Sequence, residues 1–131
     1  MTINDIQDLM QQHEQLKSDF GQFEDLVADE NWQQALKAWD DFYIEVHQLI
    51  LKEENGLYQL LDKSLNSNKT QSPFAILRIE HENLSQLIEE LSRLIEKKQK
   101  GSILNAADNF MLFLNEHFAR ERNIISPLIP S

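Results

Sequence analysis

The sequence predicts an all-α fold: one domain over residues 1–131, built as an antiparallel, up-down-up-down four-helix bundle. Three observations carry that expectation. Apolar residues recur at helical spacing almost throughout. Only three Gly and three Pro punctuate 131 residues, which favours a few long helices over many turns. The stretches between apolar stripes are short and polar, so consecutive helices lie antiparallel.

The first helix carries the stripe Ile6, Leu9, Met10, Leu16, Phe20, Phe23 and Val27, and the acidic stretch ADEN at 28–31 ends it. The second carries Trp32, Leu36, Trp39, Phe42, Val46, Leu49, Leu57 and Leu60, and stops in the polar tract SLNSNKTQS at 64–72. The third opens at Ser72 and Pro73. Serine is a good N-cap, and proline suits the first helical position because an N–H there has no partner to lose. Its stripe is Phe74, Leu77, Leu84, Ile88, Leu91 and Ile95, closed by KKQKG at 97–101, with cations near the helix end and a glycine after them. The fourth has Ser102 as its cap and the stripe Ile103, Ala106, Phe110, Phe113 and Ile124, with Pro127 and Pro130 marking its end. Trp32 and Trp39, seven residues apart, read as core. Asp40–Asp41 and Glu89–Glu90 read as solvent-facing pairs.

Composition removes several function classes. Twelve basic residues against 22 acidic ones give a net charge of −10. Such a surface repels phosphates and anionic headgroups, so neither nucleic acid nor membrane is expected as a partner. The absence of cysteine removes disulfides, thiolate metal sites and cysteine nucleophiles. FMLFL at 110–114 is too short to span a bilayer, and MTINDIQDLM lacks the basic and apolar runs of a leader. The expected location is the cytoplasm.

Each stripe skips a beat, and the fourth skips two. The missing core positions are His13, Glu53, His81, and the pair His117 and Glu121. Burying one imidazole or carboxylate without partners costs several kcal/mol, in order of magnitude. Five such groups at matched depth need a common partner. A divalent cation supplies one, since imidazole and carboxylate are ligands for iron, manganese and zinc. His117 and Glu121 stand i, i+4 and project from one face. A lone histidine on an apolar stripe is usually structural, but this set comes from all four helices.

The set also obeys a repeat. A shift of 68 lays His13 (HEQL) on His81 (HENL), Phe42 on Phe110, Glu53 on Glu121 and Leu49 on His117. The chain reads as two helical hairpins facing each other across a dinuclear centre. A 34-residue period through His13, His47 and His81 fails, because NWQQALKAW at 31–39 does not match LNSNKTQSP at 65–73. No Glu-x-x-His precedes any of the four histidines, which argues against a ferritin-type site. Ser126 has no histidine and aspartate placed around it as a triad.

With His13, KEENGLYQLL at 52–61, IEHENL at 79–84 and HFARERNIISPLI at 117–129, the sequence resembles the hemerythrin-like (HHE cation-binding) family over its whole length. The resemblance implies a four-helix bundle around a non-haem di-iron site. By it, His81 and His117 hold one iron, His13 and residue 49 hold the other, and Glu53 and Glu121 bridge. Leu49 departs from the pattern, because an alkyl side chain cannot ligate. One iron, or another divalent metal, is then the alternative to a pair. The half that keeps every ligand is expected to centre on His81, His117 and Glu121, with Glu53 shared. His47 lies about 200° from residue 49 around a regular helix, so only a local π-bulge would bring it in. Glu80 and Glu82 flank His81, and one of them is a candidate acceptor for an imidazole N–H. The implied function is iron binding, with sensing or carriage of O2 or NO, or iron buffering. The alternatives are an iron-centre repair or stress-defence factor, and an interaction bundle whose site has decayed. The likeness to bacterial iron-centre repair proteins is partial, since their extra cysteine-containing domain has no counterpart in these residues.

Overall fold

The structure, a computed structural model, describes residues 2–65 and 72–128. Its elements are α1 (Ile3–Ala28), α2 (Trp32–Lys52), a π-helical segment (Glu53–Tyr58), α3 (Gln59–Ser64), α4 (Ala75–Glu96), α5 (Lys100–Ile125) and a closing 3-10 turn (Ser126–Leu128). The π segment joins α2 to α3 without a break, so the chain forms four rods. No strand occurs among the described residues. α1 packs on α2 and α4 on α5, and the two hairpins meet through α1–α5 and α2–α4 contacts. No described helix is long and apolar enough to cross a membrane.

The core follows the apolar stripes. Phe20, Phe23, Phe42, Phe110, Leu77, Ile88 and Ile103 are fully buried, and the rings of Phe20, Phe42 and Phe110 sit 4.9–6.0 Å apart by centroid. Burying one such side chain contributes roughly 1.5–3 kcal/mol, so this packing, rather than helix propensity, holds the rods together. Every buried residue from Ile6 to Leu57, moved on by 68, lands on another buried residue.

Both hairpin turns use the same unusual conformation. Glu30 (φ 57°) and Lys98 (φ 53°), themselves 68 apart, lie in the left-handed region without being glycine. That geometry costs a residue with a Cβ roughly 1–2 kcal/mol. The chain turns by hydrogen bonds back into the helix end, from Glu30 N–H to Val27 O (2.9 Å) and from Lys98 N–H to Ile95 O (3.0 Å).

Several local expectations are corrected. The third helix starts at Ala75 rather than Pro73. Ser72 Oγ accepts the Phe74 N–H (2.9 Å) and donates to Asp62, which pairs with Arg78 at 2.9 Å. Ser72 therefore closes a turn against α3 instead of capping α4. The fourth helix starts at Lys100 with Gln99 in the cap position, so Ser102 and Gly101 lie inside its first turn. On α5, Ala107, Leu114 and Ile125 are buried, whereas their neighbours Ala106, Phe113 and Ile124 are half-buried. Adjacent apolar pairs let either member join the stripe, and spacing from Phe110 and His117 selects the second. Leu60 is exposed, because the π segment rotates the phase of everything after it. Residues 66–71 of the polar tract, and Ile129 and Pro130, lie outside the described residues.

Candidate metal centre

The five polar interruptions of the stripes meet in the middle of the bundle. His13 comes from α1, between Leu9 and Leu16. Glu53 opens the π segment, His81 comes from α4, and His117 and Glu121 come from one face of α5. Each is at most 2% exposed. His13 Nε2 is hydrogen-bonded to Glu53 Oε2 at 2.9 Å and stands 3.3 Å from Glu121 Oε2. His81 Nε2 is 3.4 Å from Glu53 Oε1, and His117 Nε2 is 3.9 Å from Glu121 Oε2.

Two overlapping trios result: Glu53, His81 and His117, and His13, Glu53 and Glu121. Within each, the donor atoms lie within 4.8 Å of one another. Glu53 belongs to both, as a carboxylate shared between two positions would. Among the described residues, the buried side-chain atoms without a hydrogen-bond partner are His13 Nδ1, Glu53 Oε1, His81 Nδ1, His117 Nε2 and Glu121 Oε2. All of them belong to this cluster. An orphaned buried polar atom normally costs free energy, so their concentration at one point fits a cation that the donor chemistry also suits.

Burial sets the protonation of these donors. Desolvation pulls His13 and His117 down to about 4, so both imidazoles are neutral near pH 7. His81 is lowered for the same reason. Desolvation pushes the Glu53 carboxyl up to about 7, and burial together with the neighbouring Glu53 raises Glu121 well above the ordinary carboxyl range. Neutral imidazoles are ready to ligate, whereas the carboxyls must first lose protons.

Residues 4–129 match the family described as Hemerythrin HHE cation binding domain. The chain belongs to the hemerythrin family. Its HHE domains bind metal ions, typically iron, and the buried His and Glu groups can hold one. No curated protein and no solved structure matches the chain significantly.

In this hemerythrin domain a layer of other residues aims the cluster. His117 Nδ1–H donates to Glu80 Oε1 at 3.0 Å, which leaves Nε2 with its lone pair facing the cluster. Glu80 is held in turn by Arg120. Of the two glutamates flanking His81, Glu80 is thus the acceptor, and it serves His117 rather than its neighbour. Glu82 is exposed. His81 Nδ1 instead lies 3.5 Å from Glu54 Oε2. His13 is stacked flat on Phe118, with ring centroids 3.8 Å apart and planes 2° from parallel.

The geometry bears on two details of the sequence-based site. Glu53 groups with His81 and His117 as well as with His13 and Glu121, and Glu121 Oε2 stands 3.3 Å from His13 Nε2 and 3.9 Å from His117 Nε2. Rod packing decides this, because α5 lies against α1 as well as α4. His47 is not brought in. The π winding begins at Glu53, after His47, so α2 is regular where that residue sits. His47 Nδ1–H donates to the Tyr43 carbonyl at 2.8 Å, and the ring packs on Tyr43. Leu49 is buried, one turn before Glu53.

Sequence reasoning missed Tyr58. Its hydroxyl donates to Glu121 Oε1 at 2.7 Å and lies 3.5 Å from His81 Nε2. Regular helical spacing puts residue i+5 roughly 140° from residue i, so no α-helical stripe through Glu53 contains Tyr58. The i→i+5 winding of the π segment turns both inward. The sequence offers only one faint signal, the poor helix formers Asn55 and Gly56 inside the segment.

Proposed function

We propose that this domain binds non-haem iron among His13, Glu53, His81, His117 and Glu121, and that it uses the iron to sense or carry O2 or NO, or to buffer iron. The observation that carries the reading is the set of orphaned buried donor atoms, all on these five side chains. Supporting it, the ligands come from every rod of the bundle, and Glu80 presets the orientation of His117. Bound iron supplies a site for a diatomic ligand. The chain supplies neutral imidazoles, carboxyls that release protons on binding, and the buried Phe118 ring stacked on His13.

The test is metal content by elemental analysis after iron-replete expression, together with melting temperature with and without a chelator. The donors gather only in the native state, so bound iron raises stability by mass action. Expected are at least one iron per chain and a melting temperature that falls when iron is stripped. A chain that purifies without metal and melts identically with added iron is a plain interaction bundle.

A further inference from the structure

We propose that Tyr58 is a direct ligand of the bound iron, adding a phenolate oxygen to the donors it touches, Glu121 and His81. The inference rests on the iron-binding reading above.

Four observations converge on it. First, the Tyr58 oxygen sits among donors at ligand spacing, 2.7 Å from Glu121 Oε1 and 3.5 Å from His81 Nε2. Adjacent donors about 2.1 Å from a common metal ion lie roughly 3 Å apart, so these separations are of the size that ligating donors show. Second, the ring is clamped so that its polar end has one direction. Phe74 stacks on it at 5.0 Å and 9°, His81 lies nearly parallel at 5.6 Å, and the Arg78 guanidinium sits 5.6 Å from its centroid. The side chain has no exposed surface.

Third, the backbone departs from regular winding to place it. The π segment spans Glu53 to Tyr58, beginning on one donor and ending on the other. The second hairpin has no such segment: residue 126, which is 68 further on, is an exposed serine in the closing 3-10 turn. Fourth, this hairpin is the one that carries leucine where its counterpart has His117. The hairpin that lacks a histidine donor is the one that gains a buried phenol. On ligation the phenol O–H bond breaks and its proton leaves to solvent as the oxygen–metal bond forms.

The chain has two tyrosines, which makes the test clean. Tyr43 lies outside the cluster, hydrogen-bonded to Glu89 at 2.5 Å. The full chain loaded with ferric iron is measured for iron content, visible absorption and resonance Raman scattering. Expected are a visible phenolate-to-iron charge-transfer band and enhanced tyrosinate ring vibrations. Both persist in Tyr43→Phe and are lost in Tyr58→Phe, with helical content unchanged. Iron-loaded protein without tyrosinate vibrations overturns the inference and leaves iron binding intact; Tyr58 is then only a hydrogen-bond donor to Glu121. Vibrations that vanish in Tyr43→Phe overturn it as well. A chain that takes up no iron overturns both readings. If Tyr58→Phe does not fold, the parent and Tyr43→Phe spectra decide alone.

Discussion

Glu80 does more for the cluster than its place beside His81 suggests. It accepts from His117 Nδ1 and is pinned by Arg120, so the Nε2 lone pair of His117 points inward before any ion arrives. Losing such an outer partner typically lowers metal affinity about 10–100-fold. A ranking follows for iron bound per chain at limiting free iron. His117→Ala should lose the most, Glu80→Gln an intermediate amount, and His47→Ala none, because His47 is spent on the Tyr43 carbonyl. Equal losses from His117→Ala and His47→Ala, read by titration against a competing chelator, would contradict the geometry.

At the scale of elements, the rods were legible and their ends were not. The 3.6-residue period of Phe20, Phe23 and Val27, or of Leu84, Ile88 and Leu91, survives any choice of neighbours because those residues face one core. Caps depend on a single dihedral. Ser102 has the chemistry of a cap, but Gln99 has the extended conformation (φ −90°, ψ 91°) that starts the helix. Thr2 and Asp5 form a reciprocal capping box at the start of α1 that an apolar stripe cannot reveal. The candidate ligands were legible for the same reason as the rods, since each sits where the stripe demands an apolar residue. Tyr58 was not, because π winding changes the angle between residues and leaves the composition untouched.

The α-helical stretch before that winding also bears on residue 49. The Glu53 N–H bonds to the Leu49 carbonyl, so the two stand one regular turn apart, as His117 and Glu121 do. Leu49→His should therefore raise iron per chain above the parent. The exchange gives up roughly 1.5–3 kcal/mol of apolar burial, which a metal bond can offset. Elemental analysis of the two proteins, expressed side by side, checks this. Equal metal content would mean that a histidine at 49 does not reach the cluster.

For the molecule as a whole, the cluster stores protons. Glu53 is held near 7 and Glu121 is also raised, while His13 and His117 are held near 4. Below pH 7 the Glu53 carboxyl is protonated, and a cation must displace that proton. His13 and His117 carry none to displace until the pH approaches 4. Affinity should thus weaken as pH falls through about 7, by up to about tenfold per pH unit for each proton displaced, although free histidines titrate near 6.5. Calorimetric titration in two buffers of different ionisation enthalpy should show more protons released per cation at pH 6 than at pH 8. Identical release at both would place the carboxyls at ordinary values.

The division of the donors between hairpins also predicts an order in time. His13 and Glu53 belong to the first hairpin, and His81, His117 and Glu121 to the second. Each hairpin closes on itself through a local left-handed turn, at Glu30 or Lys98, with its donors still in water. Local closures are the fast events of folding, and distant ones come later. The five ionisable groups leave water together, when the hairpins dock. Whatever that desolvation costs falls on this one encounter, so a cation bound among the donors would favour the docking of the hairpins itself.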